Sequence, residues 1–247
     1  MELAHRVKEV LSRRNFQSTD KPNLLNLYKE VFGVSLNHEC SSCVYDAWYG
    51  LKDWFENIGQ GDIKINLFVP VYESENKARQ KELDFCLKFN KESGFFSNVI
   101  IIPEPRRTFK EMLELTTNYP YDINIISNAD IFFNHTILQT KFMQKGECYA
   151  LSRWDYVSGG FIKHFDRNDS QDVWVFNGVA KCDNATYTMG VAGCDNRLAY
   201  DLREAGYLLS NPSKKIKPIH LHLTEHRTYN NQSYVIPKPY FLIPTSY

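Results

Sequence analysis

The sequence predicts an α/β protein, a mixed and mainly parallel Rossmann-like sheet flanked by helices, with a small helical region in front of it. Three observations lead there. Apolar residues keep a helical period through residues 1–60. The period then gives way to short, almost continuous apolar runs. Those runs alternate with capped helical stretches, the pattern of parallel strand–helix–strand units.

In the helical region, Leu3, Val7, Val10 and Leu11 share one face, as do Leu24, Leu27, Tyr28 and Val31 before Gly33. A third helix is expected over 43–55, with Val44, Ala47, Trp48, Leu51 and Phe55 on one side and the Gly59-Gln60-Gly61 punctuation as its stop. That punctuation places a boundary between an N-terminal region, 1–60, and a main domain, 61–230, followed by a tail, 231–247, that packs on the domain.

The main domain opens with an apolar run over 63–71, suited to a strand buried on both faces. Asn76 is placed to cap a helix carrying Leu83, Cys86 and Leu87, with Gly94 as its stop. A second strand follows over 99–102, ended by Pro103. Thr108 and Glu111 have capping-box spacing for a helix with Phe109, Met112 and Leu113. A third strand is expected over 123–126, and 148–151 and 173–176 also read as strands.

Composition narrows the partners. With 29 basic and 29 acidic residues the net charge is zero, which gives no support to a protein that coats nucleic acid. The N-terminal stretch is charged and amphipathic, and no run approaches the ~20 apolar residues of a membrane span. The expected location is the cytoplasm, or the host cytoplasm for a viral protein. The six cysteines are accordingly expected to be free thiols, with Cys86 in the core.

Ligands of such sheets bind beyond the carboxyl ends of the strands. The rule points to the loop from Pro70 to Arg79 and to Ser127-Asn128-Ala129-Asp130. In an extended segment Asn128 and Asp130 would face one ligand, as oxygen donors to Mn²⁺ or Mg²⁺. Asp130 could instead cap a helix beginning near Asn134. Asp195 stands where a helix through Leu198 and Leu202 begins, as N-cap or as general base. His220 and His222 alternate, so both imidazoles share a side if the segment is extended. Arg153 has the planar fork that neutralises diphosphate, and Asp172 could bond sugar hydroxyls or act as a second base; either could equally be a buried ion pair with its neighbour. His38, Cys40 and Cys43 offer three zinc-type ligands, one short of a structural site, so packing is preferred there.

Taken in order, Phe68-Val69-Pro70-Val71-Tyr72, Arg79, Ser127-Asn128-Ala129-Asp130, Ser152-Arg153-Trp154-Asp155, Gln171-Asp172, the turn Gly193-Cys194-Asp195-Asn196, Asn211-Pro212-Ser213 and His220-Leu221-His222 resemble small bacterial and viral glycosyltransferase-like proteins of the A-type (GT-A) nucleotide-diphospho-sugar transferase fold. The likeness covers residues 65–229. It implies a metal-dependent glycosyltransferase, hexosyl or pentosyl, with a nucleotide-sugar donor and a small-molecule, glycan or modified-DNA hydroxyl as acceptor. Asp130 would correspond to the second carboxylate of the Asp-x-Asp motif, with Asn128 in place of the first. His222, with His220 as second choice, would complete the metal site. Pro70, Tyr72, Arg79, Asn128 and Arg153 would bind the donor, and Asp195 would take the acceptor proton, with Asp172 as alternative base. No covalent nucleophile stands out, so inversion is expected.

Three rivals stand beside this reading. A nucleotidyltransferase would carry a Gly-rich basic loop after the first strand, which Pro70-Val71-Tyr72-Glu73 is not. A glycosyltransferase acting on a hydroxymethylated DNA base would bind DNA in a salt-sensitive way. A non-catalytic nucleotide-sugar-binding or assembly module finds its argument in Asn128.

Overall fold

The computed structural model describes residues 2–13, 18–37, 39–56, 63–157, 159–224 and 235–247. The chain divides into two compact units, Met1–Asp62 and Ile63–Tyr247. His38, the Gly59-Gln60-Gly61 punctuation and Tyr229 lie outside the described residues.

Among its described residues the first unit holds three α-helices, α1 (Glu2–Leu11), α2 (Lys21–Phe32) and α3 (Ser41–Glu56). Their apolar stripes meet in a core of Val7, Val10, Leu24, Leu27, Tyr28, Ala47 and Leu51, all essentially inaccessible to solvent. Helix α2 stops at Gly33, which takes the left-handed conformation and donates its N–H back to the Lys29 carbonyl. Cys40 and Cys43 are joined to each other at the start of α3, with their Cα atoms 5.3 Å apart. The expectation of six free thiols is therefore corrected: a three-residue spacing on the first helical turn brings these two sulfurs together. Cys86, Cys148, Cys182 and Cys194 are free and buried.

The second unit is a mixed α/β fold, consistent with a Rossmann-like layout. Its strands are β1 (Ile65–Pro70), β2 (Asn98–Ile102), β3 (Ile123–Ser127), β4 (Ile131–Phe133), β5 (Glu147–Leu151), β6 (Trp154–Tyr156), β7 (Ile162–His164), β8 (Val173–Asn177), β9 (Leu208–Ser210) and β10 (Pro218–His220). Its helices are α4 (Lys77–Glu92), α5 (Phe109–Glu114) and α6 (Cys194–Glu204). The main sheet has the order β2-β1-β3-β8-β5-β9. Both neighbours of β1 are parallel to it, and β5 is parallel to β9. Strand β8 runs antiparallel to β3 and β5 on either side. A second sheet, β4-β10-β6-β7, is built from three-residue strands.

Local signals explain the helices of this unit. The Asn76 side chain accepts from the N–H groups of Ala78 and Arg79 and starts α4. Thr108 and Glu111 form the reciprocal capping box of α5. Phe109 is then driven into the core against Trp174 and Tyr187, with ring centroids 6.4 and 5.9 Å away. Removing such a buried ring typically costs about 3–5 kcal/mol.

The closing segment, 235–247, threads back over the domain. Ile236 and Ile243 enter the core with Leu198 and Leu202 of α6. The N–H of Ile236 bonds the Ala192 carbonyl, and that of Phe241 bonds the Asn196 carbonyl. Gly193 sits between these contacts with φ near +80°, and a Cβ there would collide with the Tyr240 hydroxyl. The start of α6 is thus fixed from outside by the end of the chain.

Candidate functional site

A cleft of about 370 Å³ opens where β1, β2 and β3 end, and it is lined by Pro70, Ile102 and Asn128 from those strand ends. Opposite them stand the turn from Met189 to Asp195 and the two imidazoles His220 and His222. Pro70, Tyr72, Arg79, Asn128, Asp130, Arg153, Asp172, Asp195 and His222, the residues singled out from sequence, all border this one cleft.

A continuous chain of alternating charge runs through it. Arg79, nearly inaccessible in the first turn of α4, donates to Glu82 at 2.9 Å and to Asp130. His220 Nε2 lies 3.1 Å from Asp130, and its Nδ1 lies 3.0 Å from Asp155. Arg153 donates through Nε to Asp155 at 2.7 Å and reaches Asp172 at 3.3 Å. The Asn128 amide closes the series on Asp172 at 2.9 Å. Burial works against the His220 imidazolium, but the carboxylates of Asp130 and Asp155 raise its pKa to about 9. Burial likewise pushes the Asp130 carboxyl up, yet the hydrogen bond and charge of His220, with Arg79 beside it, hold it well below the usual carboxylate range.

The backbone carries the same couplings. The Leu221 N–H donates to the Asp130 carbonyl, and the Leu221 carbonyl accepts from Arg79 at 2.9 Å. Glu82 takes the N–H groups of Leu223 and Thr224, each at 2.9 Å. His222 is therefore carried on a segment clamped by α4 on both sides. Along it the expected alternation holds: Ile219 and Leu221 pack with Cys86 and Phe132, while His220 and His222 face the cleft. Asp130, His220 and His222 offer ligand atoms that all lie within 4.8 Å of one another. One carboxylate and two imidazoles form a group that could hold a divalent metal ion.

Asp195 also lines the cleft, partly buried in the first turn of α6. Burial and the nearby Asp172 charge push its pKa up to about 7, although the Cys194 thiol and the Gln171 N–H both donate to the ionised form. A carboxylate poised there is matched to proton transfer near neutral pH.

Several expectations change. Asn128 and Asp130 do not extend side by side: the segment turns, with the Ile131 N–H bonding the Asn128 carbonyl, and the two side chains take different partners. Asn128 is thereby matched to Asp172, since an aspartate in its place would set like charges at hydrogen-bond distance. Asp130 caps no helix, because Asn134 caps the 3₁₀ turn that follows it. Asp195 is not the N-cap of α6; Gly193 is, and the acid belongs to the helix itself. Arg79 and Arg153, expected to bind the donor, have their guanidinium groups bonded to carboxylates, Glu82 and Asp130 for the first and Asp155 and Asp172 for the second. Asp172, expected as an alternative base, is buried and accepts from Asn128 and Arg153. His220, second choice to His222 from sequence, proves the centre of the network.

Sequence reasoning missed Asp155 as partner of His220, and it missed Arg106 and Arg107, which border the cleft beyond β2. The signal for the arginines was present. The rule that pointed beyond the first and third strands applies equally to the second, where Pro103 to Arg107 follow Ile102.

No helix among the described residues is long and apolar enough to cross a membrane. No protein-family model matches the chain, and no curated protein matches it.

Proposed function

We propose that this protein is a metal-dependent glycosyltransferase of GT-A type, moving a sugar from a nucleotide-sugar donor to a hydroxyl acceptor. The observation that carries the reading is that a three-ligand group able to hold a metal and a separate carboxylate, Asp195, line one cleft at the ends of parallel strands. Neither element alone would suffice. Together they supply what a sugar transfer needs: a counter-charge for a departing diphosphate and a base for an incoming hydroxyl.

A divalent ion at Asp130, His220 and His222 would neutralise charge developing on the leaving nucleoside diphosphate. Asp130 is kept ionised by Arg79 and His220, so it is ready to ligate. His220 must give up the proton it now shares with Asp130, and Asp155 on its other nitrogen orients the ring while that happens. Asp195 takes the acceptor proton as the acceptor oxygen forms its bond to the anomeric carbon and the bond to the diphosphate oxygen breaks. Asp172 keeps Arg153 and Asn128 aligned beside that path. With one base and no nucleophile assigned, the displacement inverts the anomeric centre.

The test is a panel of nucleotide-sugars assayed for hydrolysis or transfer with Mn²⁺, Mg²⁺, Fe²⁺, Zn²⁺ or chelator. Turnover that requires a divalent ion and disappears in Asp130→Asn supports the reading. In Asp195→Asn, donor binding should persist while transfer is lost. Metal binding without turnover of any nucleotide-sugar would overturn it.

A further inference from the structure

The rim of the cleft beyond β2 carries two cations that the network inside does not use. Arg106 and Arg107 are both exposed, and both border the cleft. Among the described residues neither makes an ion pair or a hydrogen bond. The charge of Arg107 reaches Glu111 and helps to lower its pKa, but that carboxylate is already committed to the N–H and hydroxyl of Thr108 at 2.8 Å each.

Arg106 is nevertheless held in place. Its guanidinium lies over the Tyr72 ring, 5.3 Å from the centroid. On its other side is Gly190, with φ near +81°, where a Cβ would lie 3.1 Å from the Arg106 Nη1. The bare backbone of Gly190 leaves the guanidinium its room. Tyr72 and Arg79 line the same cleft, and Arg79 holds Asp130.

Solvated arginines on loops are common, and exposure alone would carry nothing. Two features set this pair apart. One is its placement on the cleft, with Arg106 seated between a ring and a glycine. The other is that the remaining cations of the cleft, Arg79, Arg153 and His220, are already matched to carboxylates. Cations on a cleft without carboxylate partners favour an anionic ligand, and arginine forks suit phosphate oxygens.

We propose that Arg106 and Arg107 form a phosphate subsite, taking the diphosphate of a nucleoside diphosphate ligand with an affinity that does not depend on the metal. The nucleotide part rests on the transferase reading; the anion part rests on the geometry of the rim.

The experiment titrates inorganic pyrophosphate and the common nucleoside diphosphates into the full chain, first in chelator and then with Mn²⁺. Pyrophosphate should bind in chelator and weaken as salt is raised. The paired variant Arg106→Ala with Arg107→Ala should weaken it about tenfold or more, while Mn²⁺ binding stays unchanged. If that variant does not fold, Arg106→Gln with Arg107→Gln decides instead. Equal binding by wild type and variant, or no binding by wild type, overturns the subsite. Loss of pyrophosphate binding in the variant, in a wild type that turns over no nucleotide-sugar, supports the subsite and removes the transferase reading. Donor turnover that the variant leaves untouched removes the subsite and spares the reading.

Discussion

At the inner end of the cleft Arg79 and Arg153 are enclosed by carboxylates, whereas at the outer rim Arg106 and Arg107 face open space. All four are arginines beside strand ends or helix starts, and by residue type they are interchangeable. What separates them is the company supplied by distant parts of the chain. Arg79 meets Asp130, 51 positions away, and the Leu221 carbonyl, 142 positions away. The inner pair is scaffold for the metal group; the outer pair remains available to a ligand. A cation in a cleft is informative only once its counter-ions are known.

This contrast can be broken by experiment. The largest effect is expected at Arg79. Replacing it with alanine takes the buried counter-charge from Glu82 and one of two from Asp130 and should cost about 3–5 kcal/mol, read by urea denaturation; the same change at Arg106 or Arg107 should stay within about 0.5 kcal/mol. A loss at Arg106 as large as at Arg79 would erase the distinction between the two ends.

Next comes Asp155, which orients His220 without belonging to the metal group. Asp155→Asn should weaken Mn²⁺ about 10–100-fold, measured by titration calorimetry. Unchanged affinity would mean that the ring is held by Asp130 alone.

An effect of another kind, a dependence of stability on pH, is expected at Asp195. Its folded pKa, about 7, stands above the ordinary carboxyl value of 3.8, so the folded protein binds this proton more tightly than the unfolded chain does. Stability from this source is present at low pH and is lost as pH rises between those two values. Asp195→Asn removes the dependence, so the melting temperature of the variant should gain on wild type as pH rises from about 4 to about 7. A constant difference across that range would show that Asp195 is not perturbed.

Much of the fold was legible because its signals are local. The Asn76 cap, the Thr108–Glu111 box and the apolar runs of β1, β2 and β3 need only a few neighbouring residues. The reversed direction of β8 was not legible, since a run such as Val-Trp-Val-Phe reads the same in either orientation. Nor was the second sheet, whose three-residue strands, Trp154-Asp155-Tyr156 among them, are too short to show a period. For the candidate site, residue types and strand ends pointed to the right cleft. The division of labour among its arginines and carboxylates could not be read, because the choices that set it, Arg79 with Asp130 and His220 with Asp130 and Asp155, span 51 to 90 residues.

The last thirteen residues bear on how the protein is handled. Segment 235–247 grips both sides of the Gly193 turn and contributes Ile236 and Ile243 to the core beneath α6, yet none of its residues borders the cleft. Trimming them, or fusing a bulky tag to them, would disturb Asp195 as surely as a mutation beside it. A loss of activity after such trimming would report on the posture of that carboxylate and would be misread as the removal of a regulatory tail.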